Sequence, residues 1–102
     1  MYQPQPILGR ILTIVVPSAS IATFQELTPA LAGITDDRFV REFESRSFVA
    51  LKGAADVEVG FDDPTLPTFQ PVVLGSGVWH RFYYTGPVYI RSAGDVEVIV
   101  GY

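Results

Sequence analysis

The sequence contains no cysteine and a single lysine, Lys52, among its 102 residues. Without cysteine, disulfides, thiol nucleophiles and cysteine-ligated metals are excluded. Seven basic against eleven acidic residues give a formal charge of -4, and the bases do not cluster. Because affinity for nucleic acid depends on cationic contacts to phosphate, we expect no nucleic-acid partner and no binding to an anionic membrane surface.

Long apolar runs are also missing. A transmembrane helix needs about 20 mostly apolar residues, whereas the apolar segment Ile11 to Val16 ends at Pro17. Arg10 precedes this segment, but the segment is too short for the apolar part of a cleaved signal peptide. We therefore interpret it as a strand and expect no membrane-spanning segment.

Catalytic side chains are scarce. The one histidine, His80, lies in the aromatic run from Val78 to Tyr84. A histidine in such a strand is more often packed than catalytic, and no Gly-x-Ser-x-Gly motif accompanies it. The residues therefore argue against an enzyme.

The acidic residues favour solvated faces and turns over chemistry. Asp36-Asp37 and Asp62-Asp63 could ligate a hard cation, but calcium needs six to eight oxygens and no EF-hand spacing is present. Glu42 and Glu44 share one face of a predicted strand, which is typical of its solvated side rather than of a glycosidase. We predict no metal site, no cofactor and no catalytic residue.

Short runs of Val, Ile, Phe and Tyr between Gly, Pro, Asp and Ser predict an all-β fold, a single antiparallel β-sandwich. Residues 1–6 are predicted to be an N-terminal arm and residues 7–102 the single sandwich domain. The segment Ser20 to Leu31 is predicted to be a short turn, an extended loop or a helix. The predicted strands are Ile7 to Val16, Phe39 to Glu44, Ser47 to Lys52, Val57 to Phe61, Gln70 to Leu74, Val78 to Tyr84, Val88 to Arg91 and Val96 to Gly101.

An internal match is the most informative pattern. The segment Val49 to Val59 recurs as Val88 to Val98, with every position displaced equally and the triplet Val-Glu-Val identical in both copies. Each copy is a strand, a turn of small residues ending in Asp, and a second strand. The likeness is explained either by duplication or by the common construction of β-hairpins.

Each copy can be folded into a hairpin, and the match then predicts its register. In the first hairpin Leu51 faces Val59 and Lys52 faces Glu58. In the second hairpin (88–98) Ile90 faces Val98 and Arg91 faces Glu97. The apolar pairs share one face and the charged pairs share the other, as the two-residue period of a strand requires.

Exposed aromatic and arginine residues are the candidates for a binding surface. The chain has seven Phe, five Tyr and one Trp, and alternation buries about half of the strand positions. Exposed aromatics beside arginine suit a protein interface, and the same set could stack on a sugar ring. The predicted interface residues are Trp79, Arg81, Tyr83, Tyr89 and Arg91.

Four parts of the C-terminal half carry a resemblance: the segments 48–53 and 87–94, the proline-rich link 60–71 between them, and the terminal strand 96–102. Through these segments the chain resembles small accessory proteins of tailed-phage virions, such as capsid decoration or cement proteins and β-sandwich modules of head fibres and tails.

The resemblance implies a jelly-roll-like sandwich bound to the exterior of a capsid, and hence a virion protein assembled in the host cytoplasm. Its implied partners are the major capsid protein or another virion protein, and other copies of itself, with a trimer as one form. The alternative is a carbohydrate- or receptor-binding module of a fibre or tail.

Overall fold

The computed structural model describes residues 11–101 of the chain. The predicted arm, residues 1–6, lies outside this range. The strands are β1 Leu12–Val16, β2 Gln25–Glu26, β3 Phe48–Gly53, β4 Val57–Gly60, β5 Val72–Leu74, β6 His80–Phe82, β7 Tyr89–Ser92 and β8 Val96–Gly101. The one α-helix of this range, α1, spans Asp37–Glu44, and 3-10 turns span Ser18–Ser20 and Pro29–Ala32.

Two four-stranded antiparallel sheets form a β-sandwich, so the predicted fold class is confirmed. Sheet A has the strand order β1-β8-β3-β6, and sheet B has the order β2-β7-β4-β5. The strands pair in a nested order: first with eighth, second with seventh, third with sixth, and fourth with fifth.

The core lies between the sheets and is built from the alternate, inward positions of the central strands. Valine and isoleucine dominate it, as expected of side chains that suit a pleated and half-buried surface. The side chains at these positions are at most 1 % exposed: Val49, Leu51, Val57, Val59, Ile90, Val96 and Val98.

The strand predicted over Phe39 to Glu44 is wrong, because these residues lie in α1. Asp36 caps the helix: its Oδ1 accepts hydrogen bonds from the backbone N–H groups of Arg38 at 2.8 Å and Phe39 at 3.4 Å. Phe39 and Phe43 are one helical turn apart and both pack on the core. A capped start and this spacing outweigh the alternation that suggested a strand.

The two predicted hairpins are also wrong in their pairing. β3 lies in sheet A and β4 lies in sheet B, so the first copy crosses between the sheets, and the second copy does the same through β7 and β8. The copies exchange partners: Lys52 faces Glu97 across β3 and β8, and Arg91 faces Glu58 across β7 and β4.

This exchange gives the strand pairing a two-fold pattern. Leu51 faces Val98 as Ile90 faces Val59. The pattern reaches the neighbouring strands, because β1 flanks β8 as β5 flanks β4. The internal match therefore corresponds to equivalent positions in the two sheets.

Candidate functional site

The outer surface of sheet A, called face A below, carries an exposed apolar and aromatic patch. Its residues alternate with the core positions of the four strands. They are Ile11, Thr13 and Val15 at the β1 edge, Glu97 and Ile99 in β8, Phe48, Ala50 and Lys52 in β3, and Trp79, Arg81 and Tyr83 at the β6 edge.

Several large side chains of face A are exposed to solvent. Tyr83 is 76 % exposed, Ile11 64 %, Val15 48 % and Trp79 43 %. A soluble monomer tolerates single exposed apolar residues, but a contiguous group of them usually marks an interaction surface.

Arg81 organises the aromatic side of face A. Its guanidinium lies 4.8 Å from the centre of the Phe48 ring, and Nη1 donates to the Tyr83 hydroxyl at 3.4 Å. No carboxylate within residues 11–101 forms an ion pair with it. Arg81 is therefore a cation that lies against an aromatic ring, with one hydrogen bond to Tyr83 and no carboxylate partner within residues 11–101.

The charged pair of face A neutralises itself. Lys52 Nζ lies 3.7 Å from Glu97 Oε2 and 5.7 Å from the centre of the Trp79 ring. Both side chains remain partly exposed, so the pair contributes only about 0–1 kcal/mol to stability. It leaves face A with Arg81 as its one uncompensated charge among the described residues.

The outer surface of sheet B, called face B, repeats this arrangement at equivalent positions. Arg91 pairs with Glu58 through Nε–Oε2 at 2.5 Å and lies 4.5 Å from the centre of the Phe24 ring. Because Glu58 accepts these hydrogen bonds, its pKa is held below the ordinary value, and the pKa of Arg91 is raised by the same contact. Cation, carboxylate and aromatic ring thus recur on both faces.

Face B differs from face A because the β4–β5 connection covers part of it. Phe69 packs edge-on against Phe24 with ring centres 4.9 Å apart. Its ring also fills the space beside Gly60, where an added Cβ would overlap it. The proline-rich link between β4 and β5 therefore shields part of face B.

The five predicted interface residues fall on two surfaces. Trp79, Arg81 and Tyr83 lie together on face A, whereas Tyr89 and Arg91 lie on face B. They separate because β6 and β7, although consecutive, belong to opposite sheets. The exchange of strands between sheets was not visible in the local pattern.

Tyr89 has acidic neighbours on face B. It faces Gly60 in β4 and Glu26 in β2. Partial burial, together with the negative charges of Glu26, Asp63 and Asp62, raises the pKa of its hydroxyl. The hydroxyl therefore stays protonated and available as a donor.

Two clefts beside the turns that join β3 to β4 and β7 to β8 are equivalent under the two-fold pattern. The cleft on the sheet B side has a volume of about 750 Å³ and the one on the sheet A side about 420 Å³. Their equivalent aspartates bind backbone: Asp56 accepts from Ser76 N at 3.1 Å, and Asp95 accepts from Ser18 N at 2.9 Å. The fold itself uses these carboxylates to fix incoming chain segments.

Other acidic residues also serve local structure. Asp63 Oδ1 accepts from the backbone N and the hydroxyl of Thr65, at 2.9 and 2.8 Å, and these bonds lower the pKa of Asp63. Within residues 11–101, no group of three or more His, Asp or Glu side chains is placed to hold a metal ion. No helix of the same range is long and apolar enough to cross a membrane.

Arg46 is a buried cation that the sequence pattern did not single out. It is 6 % exposed, and its Nη atoms donate to the carbonyl oxygens of Phe43 and Gly86, which ties the end of α1 to the β6–β7 connection. Burial lowers its pKa, and electrostatic interactions with Glu26 and Tyr84 oppose that effect. The contacts give it a structural role.

Comparison with protein families, curated proteins and solved structures found no match to this chain. His80 Nε2 lies 3.0 Å from the carbonyl oxygen of Gly75. Face A carries four of the eight large hydrophobic side chains that are exposed among residues 11–101, namely Ile11, Val15, Trp79 and Tyr83.

Proposed function

We propose that this protein is a non-enzymatic binding and assembly module, and specifically an accessory structural protein of a phage virion that decorates the major capsid lattice. The observation that carries the assembly role is face A, an open apolar surface with aromatic side chains and one free arginine, which can bind the lattice or join the copies that bind it. Aromatic residues and arginine are enriched at protein interfaces, and charged residues are depleted at their centres.

The nested strand order supports the same proposal. Eight strands in two sheets, with the first paired to the eighth and the fourth to the fifth, fit the description of a jelly roll. Jelly rolls are used by viral capsid domains and by lectins. We propose that the sandwich is a jelly roll. This assignment agrees with the resemblance of the C-terminal half to virion accessory proteins.

Because many copies would bind one lattice, a small contact surface on each copy would be enough for stable attachment. A contact that is weak for one molecule becomes strong when linked copies bind a repeating surface, because later contacts form at high effective concentration. A compact chain without cysteine also suits assembly in a reducing cytoplasm.

The test is co-purification of the tagged chain with assembled capsids from infected cells. We expect the chain in the capsid fraction and expect capsids lacking it to lose their contents at lower temperature. Arg81→Glu should remove the chain from particles, whereas Arg38→Glu, the same change at an exposed site on α1, should not. A chain that stays in the soluble fraction contradicts the proposal.

A sugar- or receptor-binding module is the second candidate, favoured by the exposed Trp79 ring. It stands beside Lys52, and Lys52 lines the cleft on the sheet A side. Aromatic rings can stack on sugar rings while polar groups bind the hydroxyls. Glycan-array binding that is lost in Trp79→Ala would favour this function.

A further inference from the structure

Face A has one half with large, protruding side chains, called the tall half, and one half with small side chains, called the low half. At the β6 edge stand three large side chains, Trp79, Arg81 and Tyr83, of which Tyr83 is 76 % exposed. At the β1 edge stand the short side chains of Val15 and Thr13 together with Ile11. The two halves are separated by the central strands β8 and β3.

The registers align these residues in rows across the sheet. In the middle row Thr13 faces Ile99, Ile99 faces Ala50, and Ala50 faces Arg81. Each row therefore runs from a small or aliphatic residue at one edge to a large residue at the other.

A neighbouring row holds the charges. Val15 faces Glu97, Glu97 faces Lys52, and Lys52 lies against Trp79. The acid thus lies on the low half and the base on the tall half of face A.

We propose that face A packs against face A of a second copy, about a two-fold axis parallel to the strands. This inference rests on the assembly role proposed above and names the first partner as the chain itself. The axis lies between β8 and β3, so that β6 of one copy covers β1 of the other. Sheets that pack face to face keep their strands aligned to within about 30°.

Shape is complementary in this arrangement. Trp79 of each copy lies over Val15 of the other, and Tyr83 lies over Ile11. Arg81 lies over Thr13, whose hydroxyl can accept a hydrogen bond from the guanidinium. Tall residues meet low ones in every row, because the axis exchanges the two edges of the sheet.

Charge is complementary as well. Lys52 of one copy lies over Glu97 of the other, and the reverse, so each dimer places two bases and two acids in alternation. Each lysine keeps its partner within its own chain at 3.7 Å and gains a second carboxylate. A partner of unrelated sequence would have to supply this pattern separately, whereas a second copy supplies it by symmetry.

The area predicts a weak, reversible dimer. Four strands about 4.8 Å apart and six residues of about 3.4 Å each give a footprint of about 400 Å² per copy. Stable interfaces commonly bury about 800 Å² per partner. Association should therefore depend on concentration over an accessible range.

The experiment is sedimentation equilibrium of the full chain between about 1 μM and about 1 mM, with fluorescence of Trp79, the only tryptophan, recorded over the same range. We expect the mass to rise from one to two chains and the emission to shift to shorter wavelength in parallel. Val15→Lys should abolish both changes. Val73→Lys, the matched change at the equivalent position of face B, should abolish neither.

Reversing the charges of Lys52 and Glu97 provides a second test of the dimer. Lys52→Glu should abolish dimerisation, and adding Glu97→Lys should restore it, because both the internal pair and the pair between copies re-form. Circular dichroism checks that each variant is folded. Failure of the double variant to dimerise while Val15→Lys still dimerises would overturn the proposal.

The remaining outcomes also decide the question. A chain that stays monomeric at all concentrations, a trimer, or Trp79 emission already shifted in the monomer because another segment covers face A would each overturn the inference. If such a monomer still binds capsids and Arg81→Glu prevents binding, the proposed function stands without the dimer. If the dimer forms but does not bind capsids, the inference stands and the proposed function fails.

Discussion

Arg91 in β7 donates two hydrogen bonds to the carboxylate of Glu58 in β4, from Nε to Oε2 at 2.5 Å and from Nη2 to Oε1 at 2.9 Å. The two strands are neighbours in sheet B but come from different copies of the internal match. Two parallel bonds fix the relative position of both side chains. The pair is therefore a direct marker of how the two copies pair their strands.

A double-mutant cycle on this pair tests the strand exchange. Arg91→Gln and Glu58→Gln, made singly and together and measured by urea unfolding, should show a coupling of about 0.2–1 kcal/mol, as exposed ion pairs do. The matched cycle of Arg91 with Glu97 should show none, because those residues lie in different sheets. Coupling in the second cycle and none in the first would restore the hairpin arrangement.

Acid should weaken the same contact. The hydrogen bonds from Arg91 hold the pKa of Glu58 below its ordinary value of 4.5. The stabilisation is therefore complete above that value and is lost as the pH falls through the lower pKa of the folded state. The difference in unfolding free energy between the native chain and Glu58→Gln should shrink below about pH 4. A difference unchanged between pH 7 and pH 3 would contradict this assignment.

Seven of the eight strands of the described residues followed from local pattern, because alternation and β-branched side chains report directly on one buried face. The short strand β2 was not predicted, and a strand was wrongly predicted where α1 forms. Which strands are neighbours in each sheet could not be predicted from the local pattern, for a physical reason. Leu51 and Val59 point into the same core whether they lie side by side in one sheet or across from each other in two. The match between the copies made the charged pairs equivalent too, since Lys52 can meet Glu58 or Glu97 with the same chemistry.

The grouping of Trp79, Arg81 and Tyr83 on one face could be predicted from the sequence, because alternate residues of a strand point to the same side. That they form an interface stays a prediction. The contribution of β1 was missed, since Val15 reads as an ordinary strand residue until its strand is placed at a sheet edge. Phe69 was missed as a cover because nothing local links a proline-rich loop to the glycine it packs on.

The helix depends on a signal that was available in the sequence, the acid at Asp36. Asp36→Ala removes the acceptor for the N–H groups of Arg38 and Phe39 and should lower the unfolding free energy by about 1 kcal/mol. Asp37→Ala is the control: it keeps the cap and loses only a favourable charge in the first turn, so the loss should be smaller. Thermal unfolding of the two variants measures this difference. Equal losses would mean that the cap does not define the helix start.

Gly60 tests whether the β4–β5 connection is held against sheet B. Gly60→Ala places a methyl group where the Phe69 ring lies, and overpacking of this kind should cost about 1–3 kcal/mol. Gly75→Ala, which has no atom within 4 Å of the added carbon, should change stability by less than about 0.5 kcal/mol. Adding Phe69→Leu to Gly60→Ala should recover part of the loss, because the smaller side chain can move aside. If urea unfolding gave Gly60→Ala and Gly75→Ala the same stability, the loop would not be packed on β4, and face B would be as open as face A.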